Sequence, residues 1–351
     1  MKLLIVGGAG YIGSHMLLAL QDAGIPASDL LVFDNLSRGH ADACGSVEIF
    51  RGDLRKTEDL TRCFKKFTPD LVMHFGALAY VGESVEEPLL YYENNVVGSL
   101  NLLATMRMFQ VSRLVFSSTC ATYGEPQTLP IPEDHPQHPI NPYGRTKLMI
   151  EQALIDYGHA YGLRSISLRY FNAAGADPRG RARERHDPET HLIPLVLHEA
   201  ARIAGGGDPS NTTLKVFGTD FDTPDGSCVR DYIHVEDLCA AHLAAGKALL
   251  QAPFGTSPAH GAPNHPFEVA TALPHAEFFN LANGNGYSVL EVIDACRAVT
   301  GQPIQAHQVG RRAGDPARLI GNAEKIRSQL GWVPKKDLKE ILKDAWEAKS
   351  F

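Results

Sequence analysis

The chain predicts an α/β protein, a Rossmann-type doubly wound parallel sheet with a smaller C-terminal substrate-binding domain. Three observations predict it. Short, nearly continuous apolar runs alternate with longer periodic ones through the first half. A glycine-rich turn joins the first apolar run to the first periodic one. The 351 residues exceed the roughly 100–200 that one domain uses, so two lobes are expected.

Residues 3–6, 30–33, 47–50, 71–75, 114–116 and 165–168 read as buried strands. They are rich in Val, Ile, Leu and Phe, as strands covered by helices on both faces must be. Between them, 12–23, 57–67, 96–109 and 143–161 read as helices. The second half is less regular. It offers a helix at 192–204, a strand at 231–235 and a helix at 236–250. The Pro-, Gly- and His-rich stretch 251–276 reads as a long surface loop. Residues 322–346 read as two amphipathic helices broken at Pro334. The first domain is expected over 1–171, with 228–250 returning to it. Residues 172–227 and 251–351 are expected to form mainly the second.

Charge and composition exclude several classes. The net charge of −7 disfavours a basic nucleic-acid-binding face. No run approaches the roughly 20 apolar residues of a membrane span, and residues 1–6 lack the apolar core of a signal peptide, so a cytoplasmic protein is expected. The six cysteines are scattered without a C-x-x-C, and reduced buried thiols are expected. His186 and His191 lie in a charged, Pro-containing segment that reads as loop; no metal is expected there.

Three motifs carry chemistry. Gly7, Gly10 and Gly13 form a G-x-x-G-x-x-G turn between the first strand and the first helix. Such a turn lets a pyrophosphate approach the backbone and the helix N-terminus. Asp34 follows at the end of the second strand, at about the 20-residue distance of a dinucleotide fingerprint. Its carboxylate suits a ribose 2′-OH and repels a 2′-phosphate, favouring NAD over NADP. Asn141 and Pro142 then open a helix that sets Tyr143 and Lys147 four apart on one face. An ammonium near that phenol, with the positive nicotinamide ring, favours phenolate. Finally, Ser117, Ser118 and Thr119 end the fifth strand, where ligands bind in open parallel sheets.

On these motifs the chain resembles the UDP-glucose 4-epimerase family of the extended short-chain dehydrogenases/reductases. The segments that carry the resemblance are GGAGYIGSH (7–15), FDNL (33–36), GDLR (52–55), HFGA (74–77) and VGESVEEPLLYYENNVVGS (81–99). Further along they are FSSTCATYG (116–124), NPYGRTKLMIE (141–151), LRYFNAAGA (168–176), HLIPLV (191–196), VRDYIHVEDL (229–238) and RRAGD (311–315). The resemblance implies roles residue by residue. Gly7, Gly10, Tyr11, Ile12 and Gly13 would hold the NAD pyrophosphate. Asp34 and Asn35 would take the adenosine ribose, and Asp53 and Leu54 would flank the adenine. Phe75, Ala77, Asn94, Lys147 and Tyr170 would line the rest of the cofactor. Tyr143, Lys147 and Thr119 would be catalytic. Asn172, Leu192, Lys215, Val216, Phe217, Arg230, Arg312 and Asp315 would line the nucleotide-sugar site with Thr119 and Tyr143, while Arg311 reads as a solvated loop residue. Ala79 stands where some relatives place a Lys on the cofactor, so that contact is lost.

The implied reaction is a reversible 4-epimerisation of UDP-glucose and UDP-galactose by transient oxidation at C4 with tightly bound NAD. A homodimer is the family expectation. A UDP-pentose 4-epimerase and a non-catalytic dinucleotide sensor are the alternatives. Cys120 and Ala121 stand where dehydratase relatives carry carboxylates, which disfavours dehydration. Leu319 aligns with the family position that gates the sugar 2′ substituent, although a one-residue slip would put Arg318 or Ile320 there.

Overall fold

The structure is a computed structural model that describes residues 1–251, 275–312 and 315–349. The loop expected at 251–276 falls almost wholly outside the described residues. The strands, in chain order, are β1 (Leu3–Val6), β2 (Leu30–Asp34), β3 (Glu48–Arg51), β4 (Leu71–His74), β5 (Arg113–Thr119), β6 (Arg164–Tyr170) and β7 (Asn172–Ala174). They continue with β8 (Lys215–Phe217), β9 (Val229–His234), β10 (Ala276–Leu281), β11 (Gly286–Ser288), β12 (His307–Val309) and β13 (Arg318–Leu319).

Seven of these form the main sheet, in the order β10-β6-β5-β4-β1-β2-β3, and every pairing in it is parallel. The order reverses between β1 and β4, so a cleft opens at their carboxyl ends. Alternation sends Leu3 and Ile5 to one face and Leu4 and Val6 to the other. The first face is covered by α1 (Tyr11–Asp22) and by the helix Val235–Gln251. The second is covered by Thr57–Lys66, Gly98–Met108 and Pro142–Tyr161. Leu60, Phe64, Leu102, Met106, Ile150 and Leu154 fill that side. Full burial of such a side chain contributes roughly 1.5–3 kcal/mol.

The expected boundaries need two corrections. Strand β9, expected to return to the first domain, lies instead in a small sheet with β7, β11 and β13; only the helix after it packs on the main sheet. Conversely, β10 joins the edge of the main sheet beside β6, although 251–351 was assigned mainly to the second lobe. Both strands are short, and periodicity alone does not say which sheet receives a strand. The second lobe has its own core, built from Ile193, Val196, Leu197, Val292, Ile293, Ile341 and Leu342. The helices Glu324–Leu330 and Leu338–Glu347 flank Pro334 as expected. All six cysteines are buried and unpaired. No helix among the described residues is long and apolar enough to cross a membrane.

Candidate active site

The glycine turn is built by exclusion of side chains. Gly7 has φ +77° and a Cβ there would lie 2.5 Å from the Gly76 nitrogen. At Gly13 a Cβ would collide with the Gly7 carbonyl, so that glycine lets α1 pack on its own turn. Gly10 is different: a Cβ there would meet only the Gly7 oxygen, at 3.4 Å. Space lies in front of Gly10, which is the N-cap of α1 and has no side-chain cap. The helix N-terminus thus faces an opening, the shape and polarity a pyrophosphate requires.

Asp34 stands beside this opening. Its Oδ2 accepts from the Ala9 N–H at 3.0 Å and its Oδ1 from the Leu36 N–H at 2.8 Å. Burial pushes its pKa up, opposed by those two bonds. Two donors leave lone pairs for further hydroxyls. Asn35 caps Ser37 N–H at 2.9 Å. Asp53 is held by Arg55 at 2.6 Å, which brings its pKa down to about 2. Leu54 is buried beneath it, with its carbonyl on Asn101. Phe75 lies tilted with its ring centroid 4.8 Å from that of His242, and the Tyr170 hydroxyl meets His242 Nε2 at 2.7 Å. Asn94 lies in a π-helical turn, Tyr92–Val97, and bonds Asn95, which ties that turn to Leu78 and Thr146. Ile12 packs half-buried on the core, while Tyr11 bonds the Gly175 carbonyl at 2.7 Å.

Tyr143 and Lys147 open the helix Pro142–Tyr161, with Asn141 accepting from Gly144 N–H and Pro142 in the first turn, as the sequence predicts. The Thr119 hydroxyl is close enough to Tyr143 to act on its phenol. Thr119 is itself fixed at the end of β5 by the Ala121 N–H at 3.1 Å. Lys147 is 2% exposed; its Nζ donates to the Ser117 carbonyl at 2.7 Å and lies 4.8 Å from the Phe116 ring centroid. Burial pushes Tyr143 up to about 12, against the Thr119 hydroxyl, and pulls Lys147 down to about 7, against the Glu151 charge. The expected lowering of Tyr143 by Lys147 is therefore not seen in the protein's own groups. Nζ is 6.0 Å from the Tyr143 ring centroid and is committed to Ser117, and desolvation dominates both groups.

The second half of the site comes from three distant segments. Arg230 on β9 lies 3.6 Å from Asp315, and Arg312 lies 3.7 Å from the same carboxylate. Arg312 also stacks on Phe217 of β8, its guanidinium 4.4 Å from the ring centroid. Two fork-shaped donors and an aromatic face thus converge, which suits a diphosphate and a planar base. Lys215 is exposed beside them. Val216 points into the second-lobe core and has only backbone to offer, and Leu192 packs partly against that core at the first turn of its helix. Asn172 bonds the Asp231 carbonyl at 2.9 Å, one residue from Arg230. Arg311 pairs with exposed Asp220 and stacks on Phe221, away from the carboxylate of Asp315.

Leu319 pairs with Arg230 across β13 and β9 and packs against the cluster of Cys120, Tyr123, Ile131, Phe171 and Ala282. Arg318 reaches the Asp222 carbonyl instead, and Ile320 lies against Gly286. Strand alternation therefore leaves Leu319 as the residue facing the Thr119–Cys120 corner. Cys120 links the halves: it follows Thr119 and belongs to the cluster on which Leu319, the strand partner of Arg230, packs.

Three residues were given no role from sequence. Glu151, one turn after Lys147, receives Arg169 through two bonds of 2.9 and 2.7 Å and Ser118 at 2.6 Å. This buried pair braces β5, β6 and the catalytic helix; removing one partner of such a pair costs about 3–5 kcal/mol. Asp231 accepts from Asn283 and Gly284 N–H at 2.8 and 2.9 Å, clipping β9 to the loop after β10. The i, i+4 spacing of Glu151 from Lys147 was the one visible signal.

The model of the NAD dependent epimerase/dehydratase family matches residues 3–253. The chain belongs to that family. A UDP-glucose 4-epimerase of Halalkalibacterium halodurans is 47% identical over 99% of this chain and 95% of its own length. The crystal structure of UDP-glucose 4-epimerase from Brucella ovis in complex with NAD superposes with a TM-score of 0.86 at 41% identity, covering 99% of this chain and 98% of that one. The Bifidobacterium longum enzyme, in complex with NAD+ and UDP, gives 0.85 at 33% identity over the whole of both chains.

Proposed function

We propose that this epimerase-family chain interconverts UDP-glucose and UDP-galactose by inverting C4 through a transient 4-keto sugar. The observation that carries the reading is the convergence of two sites at one corner. Thr119 ends β5, the glycine turn follows β1 and Asp34 ends β2, all at the carboxyl edge of one parallel sheet, and Cys120 belongs to the cluster on which Leu319, the strand partner of Arg230, packs. The glycine turn, the uncapped N-terminus of α1 and Asp34 fit NAD, and Gly7, Gly10, Gly13, Asp34, Asp53, Phe75, Asn94 and Lys147 would hold it. Bound there, NAD supplies reversible hydride transfer at the sugar carbon.

The chain's own groups do the rest. Tyr143 takes the proton of the sugar 4-hydroxyl and returns it after inversion. Thr119 holds the same oxygen through its hydroxyl. Lys147, buried against Ser117 and 6.0 Å from the Tyr143 ring centroid, would help hold the cofactor, whose cationic ring would supply the positive charge that favours the phenolate. Arg230, Arg312 and Phe217 hold the nucleotide diphosphate while the sugar turns over. Leu319 sets the space at the sugar 2′ position and favours plain hexoses over N-acetylated ones.

A homodimer is supported by apolar residues left exposed on two neighbouring helices, Leu100 and Met108 on one and Met149 and Ile155 on the other. Six buried free thiols suit a cytoplasmic setting. Incubation with UDP-galactose, followed by separation of the sugar nucleotides, tests the activity. An equilibrium mixture containing UDP-glucose is expected. Unchanged UDP-galactose in the presence of bound NAD would sink the reading.

A further inference from the structure

The segment 177–191 runs as a strap across the first domain beside the glycine turn. Arg181 reaches Asp22 at the end of α1 at 2.9 Å, Arg185 reaches Asp42 at 2.7 Å, and Arg38 donates to the Asp187 carbonyl at 3.2 Å. At its far end four side chains turn toward one point: Glu184, His186, Glu189 and His191. One ligand atom from each lies within 4.8 Å of all the others. Glu184 Oε1 is 2.9 Å from His186 Nδ1 and 3.0 Å from His191 Nδ1. Glu189 reaches the two rings with different oxygens, Oε1 at 2.8 Å from His191 Nδ1 and Oε2 at 3.6 Å from His186 Nδ1.

Zinc bonds of about 2.0–2.2 Å in a tetrahedron set ligand atoms roughly 3.3 Å apart. The four distances straddle that value. The charge also fits: two carboxylates, two neutral imidazoles and one divalent cation sum to zero. Both ring Nδ1 atoms aim at the single oxygen Glu184 Oε1, with ring centroids 4.9 Å apart. Metal binding at imidazoles so placed requires and stabilises their neutral form.

A second His–carboxylate cluster shows the contrast. His234, Glu236 and Asp344 have a cation of their own, because Lys336 Nζ lies 2.7 and 2.5 Å from the two carboxylates. Among the described residues the ion pairs of Glu184 and Glu189 are with His186 and His191 alone. The rings of Tyr11 and Tyr80 stand 6.0 and 5.8 Å from His186, so the cluster sits between the glycine turn and the loop after β4.

We propose that Glu184, His186, Glu189 and His191 form a four-ligand site for a divalent transition-metal ion of the zinc class, which fastens the strap beside the cofactor cleft. The mixed imidazole–carboxylate set selects zinc-like ions over Mg2+ and Ca2+, which take oxygen ligands and water. The role is structural and independent of the sugar chemistry. The test is to dialyse untagged holoprotein against Zn2+, remove unbound metal and count metal per chain. About one zinc per chain is expected in the wild type, with most of it lost in E184Q and in H191Q. Co2+ in its place should give the visible absorption of a four-coordinate site, and chelation should lower the melting temperature of the wild type only. The proposal is overturned if the wild type retains no more Zn2+ than an H186Q/H191Q double variant and melts at the same temperature with or without metal. The cluster is then an imidazolium–carboxylate network. If a variant fails to fold, the wild-type count decides alone: about one zinc per chain supports the site, and a count near zero overturns it.

Discussion

The two halves of the proposed site are built in opposite ways. The cofactor half uses backbone: a glycine turn, a helix N-terminus and one carboxylate at a strand end, all within residues 7–34. The nucleotide-sugar half uses side chains brought from far apart, Phe217, Arg230, Arg312 and Asp315, carried on short strands and on a turn. A backbone site is rigid and depends on what is absent from it, namely side chains at glycine. A side-chain site depends on long-range packing of two lobes, and single substitutions there change affinity rather than fold.

The corner between the halves should show the largest effect. Tyr143→Phe keeps the packing and the bound NAD but removes the proton acceptor, so epimerisation should fall about 10²–10⁴-fold. Turnover of UDP-galactose, with cofactor content measured on the same sample, checks both parts. A near-wild-type rate would show that another group is the base.

Within the sugar half, Arg312→Ala removes a largely exposed guanidinium that contacts Phe217 and Asp315. A charge-assisted hydrogen bond contributes about 1.5–3 kcal/mol, so KM for the UDP-sugar should rise about 10- to 150-fold with kcat much less affected. Bound NAD should be unchanged. Loss of NAD in this variant would blur the division between the halves.

Leu319 tests shape rather than charge. Overpacking costs about 1–3 kcal/mol, so Leu319→Ser should raise turnover of UDP-N-acetylglucosamine relative to UDP-glucose, and Leu319→Tyr should abolish it. Competition between the two sugars in one reaction reads the ratio. A ratio unmoved by both substitutions removes Leu319 as the gate.

The smallest effect belongs to the strap. Arg181 and Arg179 lower Asp22 to about 2 from its ordinary 3.8. A depressed carboxylate stabilises above its unfolded value and loses that contribution as pH falls through its folded value. The pair is exposed, so Asp22→Asn should cost under about 1 kcal/mol at neutral pH. Urea unfolding should show this difference shrinking between pH 4 and pH 2, as wild-type Asp22 takes up its proton. A difference that persists at low pH would assign it to packing instead.

What the sequence made legible follows the same division. The first six strands and their helices were readable because each is a local pattern closed by its own turn chemistry, as with Asn141, Pro142 and Gly162 around the catalytic helix. Gly7, Gly10, Gly13 and Asp34 were readable for the same reason. Strand β9 was expected to return to the first domain and β10 was not expected at all, since a six-residue run carries no information about its neighbour. Arg312, Asp315 and Phe217 carry no local signal and entered only through resemblance. Glu184 and Glu189 were passed over because loop residues have no periodicity to show which side chains converge. The state of Tyr143 was also beyond the sequence: a Y-x-x-x-K spacing places two groups on one face but does not reveal that burial dominates both.

The most direct measurement follows a deuterium placed at C4 of UDP-galactose. An inversion at C4 in which hydrogen leaves and returns within one closed site keeps that label on C4 of the product. UDP-glucose with the deuterium retained at C4, formed by the wild type and not by Tyr143→Phe, is the expected result. UDP-glucose carrying solvent hydrogen at C4, or no UDP-glucose at all, would contradict the account.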